Sequence, residues 1–432
     1  MALKARTDAA AIDSLVAYRY SARDRFLVLL AAFLGWGFDG LEQGIFPLIG
    51  NDALMELTGG VKQAASGWFG YIMAGWLFGA AAGGFVFGWL GDKIGRVRAM
   101  ALSILMYSLF TGLGYFAQAP WHLLGLRFIA ALGMGGEWAL GVALVMECWP
   151  EKWRPYLAGC IGAAANLGFL LIALITWRHP VTPDSWRWVM LAGAVPAFLT
   201  FFIRLFVPES QRWVESVRRH GPSRPAREIF SRALVKNTLF AVAFASIALI
   251  GTWASIQYIA RWVNETISPG IPANKSIAQA AIALGAVIGS FFAPIIGGLI
   301  GRRPAYFGLC LASFLLCGFL FWGHVYGVGF LQSFNAGFVF LVFLTGMATA
   351  AFFGWLPLYL PELFPTRVRA TGQGLGYNFG RILAGVAALS TGSIIVFFGS
   401  LAKMGGTVTL IYLVGMVLIW FAPETKGKPL PE

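Results

Sequence analysis

Five ionisable residues stand inside long apolar runs of this chain: Asp39, Glu42, Arg127, Glu137 and Arg381. A charge at mid-bilayer costs about 2.5–3.5 kcal/mol on insertion scales, so each should face a partner, a cavity or a ligand. Carboxyls so placed can take up and release a proton, and arginine offers a planar fork suited to a carboxylate. Asp39 and Glu42, in GFDGLEQG, are three residues apart and share a helix face. At about 1.5 Å per residue, Asp39 lies about 21 Å above the start of its run. Arg127 lies about 9 Å below the opposite start of its own. An acid can therefore pair with Arg127 and release it on protonation; the competing reading is a static salt bridge. Arg381, in GYNFGRI, sits about 16 Å deep with Tyr377 and Asn378 on its face. It is expected to hold a ligand carboxylate, against the alternative of an internal helix carbonyl or Glu. Trp138 and Gln257 are further candidates to line that site.

The elements that must position these groups are membrane helices. Hydrophobic residues make up 58% of the 432 residues and charged residues only 12%, against about a quarter charged in a soluble domain. The apolar runs are about 20 residues long without strict alternation, which selects helices over barrel strands. Twelve spans are expected, at 25–48, 65–87, 99–118, 121–147, 156–177, 186–207, 237–262, 276–300, 305–323, 335–360, 370–398 and 402–421. The fold class is an all-α membrane protein of two six-helix pseudo-repeats. The divisions are a cytoplasmic segment 1–24, a bundle 25–207, a central loop 208–236, a second bundle 237–421 and a tail 422–432. Most of the 32 Lys and Arg fall in segments that share one side if the N-terminus is inside. That bias places both termini in the cytoplasm. It also explains the net charge of +13 as an orientation signal, which excludes nucleic acid as a partner. The first 24 residues hold no apolar h-region, so no cleavable signal peptide is expected.

The chain repeats itself. Glu147, Pro150 and Arg154 return as Glu362, Pro365 and Arg369, offset by 215 residues, and Pro208-Glu209-Ser210 returns as Pro423-Glu424-Thr425 at the same offset. A fixed long offset marks two related halves, and membrane proteins built so usually bind between the halves and rock around the site. GWLGDKIGRVR, residues 88–98, then resembles the signature of the major facilitator superfamily, with Gly88, Leu90, Asp92, Lys93, Gly95 and Arg96 in register. The resemblance implies that Asp92 pairs with basic residues and contacts a helix end across the halves. It would act with Arg96 and a Glu147–Arg154 pair, with Glu362 and Arg369 as the second copy. GGLIGRRPAYF, residues 297–307, keeps Gly301 and Arg302 but has no acid, so the latch is expected to be one-sided. The segment 127–155, with Gly-Gly-Glu-Trp before Glu147, resembles the sialic acid, lactate and related metabolite–proton symporters. PESQRW and PETKG resemble these and the sugar porters.

These readings converge on a secondary transporter that carries a small organic anion with protons by alternating access. Asp39, Glu42 and Glu137 are the proton candidates, without a choice among them. A sugar porter or uniporter is the alternative. A transporter-like nutrient sensor is disfavoured by a C-terminal tail of about a dozen residues. No HExxH, nucleophile elbow or P-loop suggests an enzyme, and no cofactor or metal is expected. The partners are a small molecule, protons and lipid, with function expected as a monomer. Short loops suggest a multi-pass protein of the bacterial inner membrane.

Overall fold

The computed structural model describes residues 20–179, 182–221, 223–253, 255–269, 271–389 and 397–432. Most of the expected N-terminal segment, residues 1–19, and 390–396 of the eleventh span lie outside it. The described residues form helices and turns without strands. This is how a chain satisfies its backbone in hydrocarbon without a barrel.

The first half holds α1 (Ala22–Leu57), α2 (Lys62–Ile94), α3 (Arg96–Leu113), α4 (Pro120–Cys148) and α5 (Arg154–Arg178). Two short helices follow, α6 (Arg187–Ala192) and α7 (Ala197–Phe206), and then the amphipathic α8 (Gln211–His220). The second half holds α9 (Val235–Trp253), α10 (Pro272–Ile300), α11 (Arg302–Val325), α12 (Ala336–Tyr359) and α13 (Arg369–Leu389), then α14 (Leu401–Val408) and α15 (Ile411–Leu418). Ten helical segments among the described residues are long and apolar enough to cross a membrane. Two expected spans are not among them. The sixth is broken between α6 and α7, and the eleventh, α13, carries Gln373, Asn378 and Arg381.

Several expected loops are helix. α1 runs to Leu57, through most of the loop expected at 49–64. Its 36 residues reach about 54 Å, well past a hydrocarbon core of about 30 Å. The expected loop 88–98 shrinks to one residue: α2 continues to Ile94, and Gly95 alone turns the chain into α3 at φ +104°. Gly301 does the same between α10 and α11 at φ +107°. Only glycine adopts that backbone without strain, so the two matched turns account for both residues. The expected seventh span, by contrast, is interrupted. α9 stops at Trp253, and 3-10, α and π turns follow through Ile267.

The halves meet along two seams, α2 against α13 and α5 against α10. In the first, a Cβ on Gly88 would lie 2.5 Å from the Ala370 carbonyl oxygen, so the glycine is what lets the helices close. One apolar core runs through both halves. A smaller one packs the far end of α1 against Trp186, Met190 and Leu123.

Candidate functional site

The centre of the molecule is a set of buried charges on α1, α4 and α13. Asp39, Glu42, Arg127, Glu137 and Arg381 are each 2% exposed or less. Glu42 accepts hydrogen bonds from Arg127 Nη1, from Thr111 Oγ1 at 3.2 Å and from Trp76 Nε1 at 3.4 Å. Arg127 therefore pairs with Glu42, one helical turn beyond Asp39. Both oxygens of Asp39 and both of Glu137 have no hydrogen-bond partner among the described residues. A buried polar atom without a partner is costly, and here no donor competes with a proton for these oxygens. Asp39 is near enough to feel the charges of Glu137, Glu42 and Arg381.

Arg381 is held from its own helix. Its Nη1 donates to Asn378 Oδ1 at 2.6 Å, while its Nε has no hydrogen-bond partner among the described residues. Asn378 Nδ2 in turn donates across the halves to the Gly135 carbonyl at 2.9 Å. Gln373 makes a matching bond to the Ala139 carbonyl at 2.6 Å. The guanidinium lies over two rings, Tyr377 at 5.6 Å and Trp76 at 5.7 Å, close enough for cation–π attraction. Tyr377 stacks on Trp138 of the other half, centroids 3.9 Å apart. Trp36 closes on both, at 6.4 Å and 6.2 Å.

At the Gly95/Gly301 end the repeated residues form two ionic clusters. Arg96 donates from Nε and Nη2 to Glu147, both at 3.2 Å, and from Nη1 to the Gly91 carbonyl. Ser210 Oγ caps the same carboxylate, and Glu209 accepts from the backbone N–H groups of Arg96 and Val97. Arg302 repeats the pattern with Glu362 at 3.0 and 2.6 Å and with the Gly297 carbonyl. Thr425 caps Glu362, and Glu424 receives the N–H groups of Arg302 and Arg303. The two clusters differ in what crosses between halves. Arg369 Nη1 reaches Glu147 at 2.7 Å. Asp92 accepts from the N–H groups of Ala370 and Thr371 at 3.3 and 2.8 Å, at the start of α13, and from Arg96 at 3.0 Å. A carboxylate there satisfies orphan helix donors and the positive end of the dipole. Arg154 makes no such bridge. Its Nε and both Nη atoms are buried without a hydrogen-bond partner among the described residues. The expected Glu147–Arg154 pair is therefore corrected: Glu147 holds Arg96 and Arg369.

A family model for the Major Facilitator Superfamily matches residues 25–389. The chain belongs to that superfamily. It is 30% identical over 417 residues to a Haemophilus influenzae protein named for metabolite transport, covering 93% of this chain and 97% of that one. It is 28% identical to a probable 4-methylmuconolactone transporter of Cupriavidus pinatubonensis, covering 92% and 90%. A solved structure of the proton:xylose symporter XylE, bound to 6-bromo-6-deoxy-D-glucose, superposes with a TM-score of 0.73 over 95% of this chain and 98% of that one. At 18% identity that likeness concerns the fold. The facilitator is a multi-pass membrane transporter and not an enzyme.

Of the facilitator's expected site residues, the structure gathers Asp39, Glu42, Arg127, Glu137, Trp138, Tyr377, Asn378 and Arg381 into the buried centre. Gln257 is exposed, on the turn Ile256–Tyr258, outside that buried set. Trp36, Trp76 and Gln373 belong to the centre but went unmarked, since nothing in sequence distinguishes them from residues that anchor or pack. Ser210, Thr425, Glu209 and Glu424 cap the clusters. Their signal was the repeated Pro-Glu-Ser and Pro-Glu-Thr.

Proposed function

We propose that this facilitator is a proton-coupled symporter of a small organic anion, built from twelve spans in two six-helix halves with both termini in the cytoplasm. The observation that carries this is Arg381. It is a buried guanidinium at the junction of the halves, held by Asn378 and two rings and salt-bridged to no carboxylate among the described residues. A substrate carboxylate supplies the missing partner. Asp39, close enough to feel the Arg381 charge, and Glu137, close to Asp39, serve as proton carriers, and Glu42 holds Arg127 in reserve. Loading both ligands lets the halves rock, which parts Asp92 from α13 and Arg369 from Glu147 and opens the cytoplasmic side.

The test is proton movement in proteoliposomes that contain a pH dye. They are challenged with lactate, sialic acid, benzoate and D-glucose beside an Arg381→Ala control. Internal acidification driven by an acid and lost in the control is expected. Proton-independent glucose uptake that survives the substitution would replace this reading with a sugar uniporter.

A further inference from the structure

The rings around Arg381 say something about the shape of the anion. Trp138 belongs to α4 in the first half and Tyr377 to α13 in the second. Their planes are 15° apart with centroids at 3.9 Å, so nothing lies between them and the contact is one that rocking must alter. Trp36 of α1 stands across one edge of the pair, at 75° to Tyr377. Phe353 of α12 stands across another, at 74° to Tyr377. Two rings from each half thus meet at the seam with Trp138 and Tyr377 in face-to-face contact, a slot that is shut here and opens only when the halves separate the rings. Arg381 lies on the same helix face as Tyr377, four residues on. At the repeat positions of Tyr377 and Arg381 the first half has Gly162 and Asn166. The slot is therefore no by-product of the duplication.

From this we infer that the substrate is a flat, conjugated monocarboxylate whose plane slides between Trp138 and Tyr377 while its carboxylate meets Arg381. This inference rests on the anion reading above and narrows it. Separating the two rings loses their stacking, and a planar π-system restores a stacked face to each, because aromatic rings prefer offset-stacked or edge-to-face partners. A saturated ring or chain is thicker and offers no π-face. The single carboxylate follows from the cations: Arg127 is held by Glu42, which leaves Arg381 as the central guanidinium for the ligand among the described residues.

The experiment measures equilibrium binding to the purified full-length protein in nanodiscs by calorimetry. It uses two matched pairs, benzoate with cyclohexanecarboxylate and sorbate with hexanoate, with D-glucose as a neutral control. The planar member of at least one pair should bind about tenfold tighter than its saturated partner, as two restored ring contacts imply. Trp138→Leu should erase that preference and Trp138→Phe should keep it. Equal affinity within both pairs, with binding lost in Arg381→Ala, would overturn the slot and leave the anion reading standing. Binding by none of the four acids would also overturn the slot, and glucose binding in their place would remove the anion reading with it.

Discussion

Arg96 and Arg302 hold matching partners within the two halves, whereas Arg154 and Arg369 do not; Arg96 adds Asp92 and, across the seam, the Thr366 carbonyl. Each of the first pair spans a glutamate, a helix carbonyl and a capped turn. Of the second pair, Arg369 bridges the halves through Glu147 and Arg154 is buried with no hydrogen bond. Two substitutions accompany the difference. Where the first half has Asp92, the second has Gly298; where Ala370 is the second residue of α13, Pro155 is the second residue of α5. Proline has no N–H to offer a cap, and a Cβ on Gly298 would lie 2.9 Å from the Pro155 ring. The α2–α13 seam is thus closed by polar bonds and the α5–α10 seam by close packing. Bonds within a half fix its shape and were kept in both copies. The bonds of these clusters that cross between the halves lie, among the described residues, at the α2–α13 seam.

The strongest way to break this comparison is to remove the two glutamates in turn. Glu147→Gln uncouples two buried guanidiniums, and breaking a buried pair costs about 3–5 kcal/mol. Glu362→Gln uncouples only Arg302. Thermal unfolding in detergent should show the larger fall in Tm for Glu147→Gln; equal falls would mean that the bridge to Arg369 contributes nothing.

A smaller effect is expected at the helix cap. Asp92→Asn should weaken the closed end by about 1 kcal/mol, roughly a fivefold shift toward opening. Spin labels at Lys93 and Pro429, on opposite halves, report the separation. Gly298→Asp alone should not strengthen closure, because its side chain would meet the Pro155 ring, which also has no hydrogen to give. Gly298→Asp with Pro155→Ala should install the second cap. A gain from Gly298→Asp alone would refute the account of the seam.

The smallest effect concerns the caps in water. Burial pushes the Glu209 carboxyl above its ordinary range despite the N–H groups of Ser210, Arg96 and Val97. Glu424 is also partly buried, but the N–H groups of Arg302, Arg303, Lys426 and Thr425 outweigh that and hold it below the ordinary range. The two halves should therefore differ in sign with pH. The contribution of Glu424 is present above the unfolded carboxyl pKa of about 4.3 and is lost as pH falls through its lower folded value. That of Glu209 is present below the unfolded value and is lost as pH rises through its higher folded one. Stability measured against pH should show both variants converging on the parent in acid, with Glu424→Gln less stable than the parent at neutral pH and Glu209→Gln more stable than it. Each gap should stay below about 1 kcal/mol, as for other screened surface charges.

Much of this was legible in the sequence. The offset of 215 residues marked both ionic clusters, and the missing acid in 297–307 matches the position, Gly298, that has no counterpart to the Asp92 contact with α13. The central charges announced themselves, because an ionisable group in an apolar run has few explanations. Partner choice was less accessible. Counting residues along a helix gives height but not direction, so Asp39 was matched in depth to Arg127, whereas packing gives Arg127 to Glu42. The Glu147–Arg154 pairing failed because residues seven apart in sequence suggest a local bond. Here the glutamate turns instead toward an arginine 222 residues away. Trp36 and Trp76 carried no signal at all, since aromatic residues also serve as interface anchors.

The central claim is that partnerless carboxyls at an asymmetric centre couple protons to substrate, while the repeated clusters only open and close the molecule. Proteoliposomes test it by separating uphill accumulation, driven by an imposed proton gradient, from substrate exchange at equal pH, which needs no net proton movement. Asp39→Asn and Glu137→Gln are each assayed both ways. The account predicts that at least one of them loses accumulation and keeps exchange. Accumulation retained in both variants, at the parent's level, would contradict it.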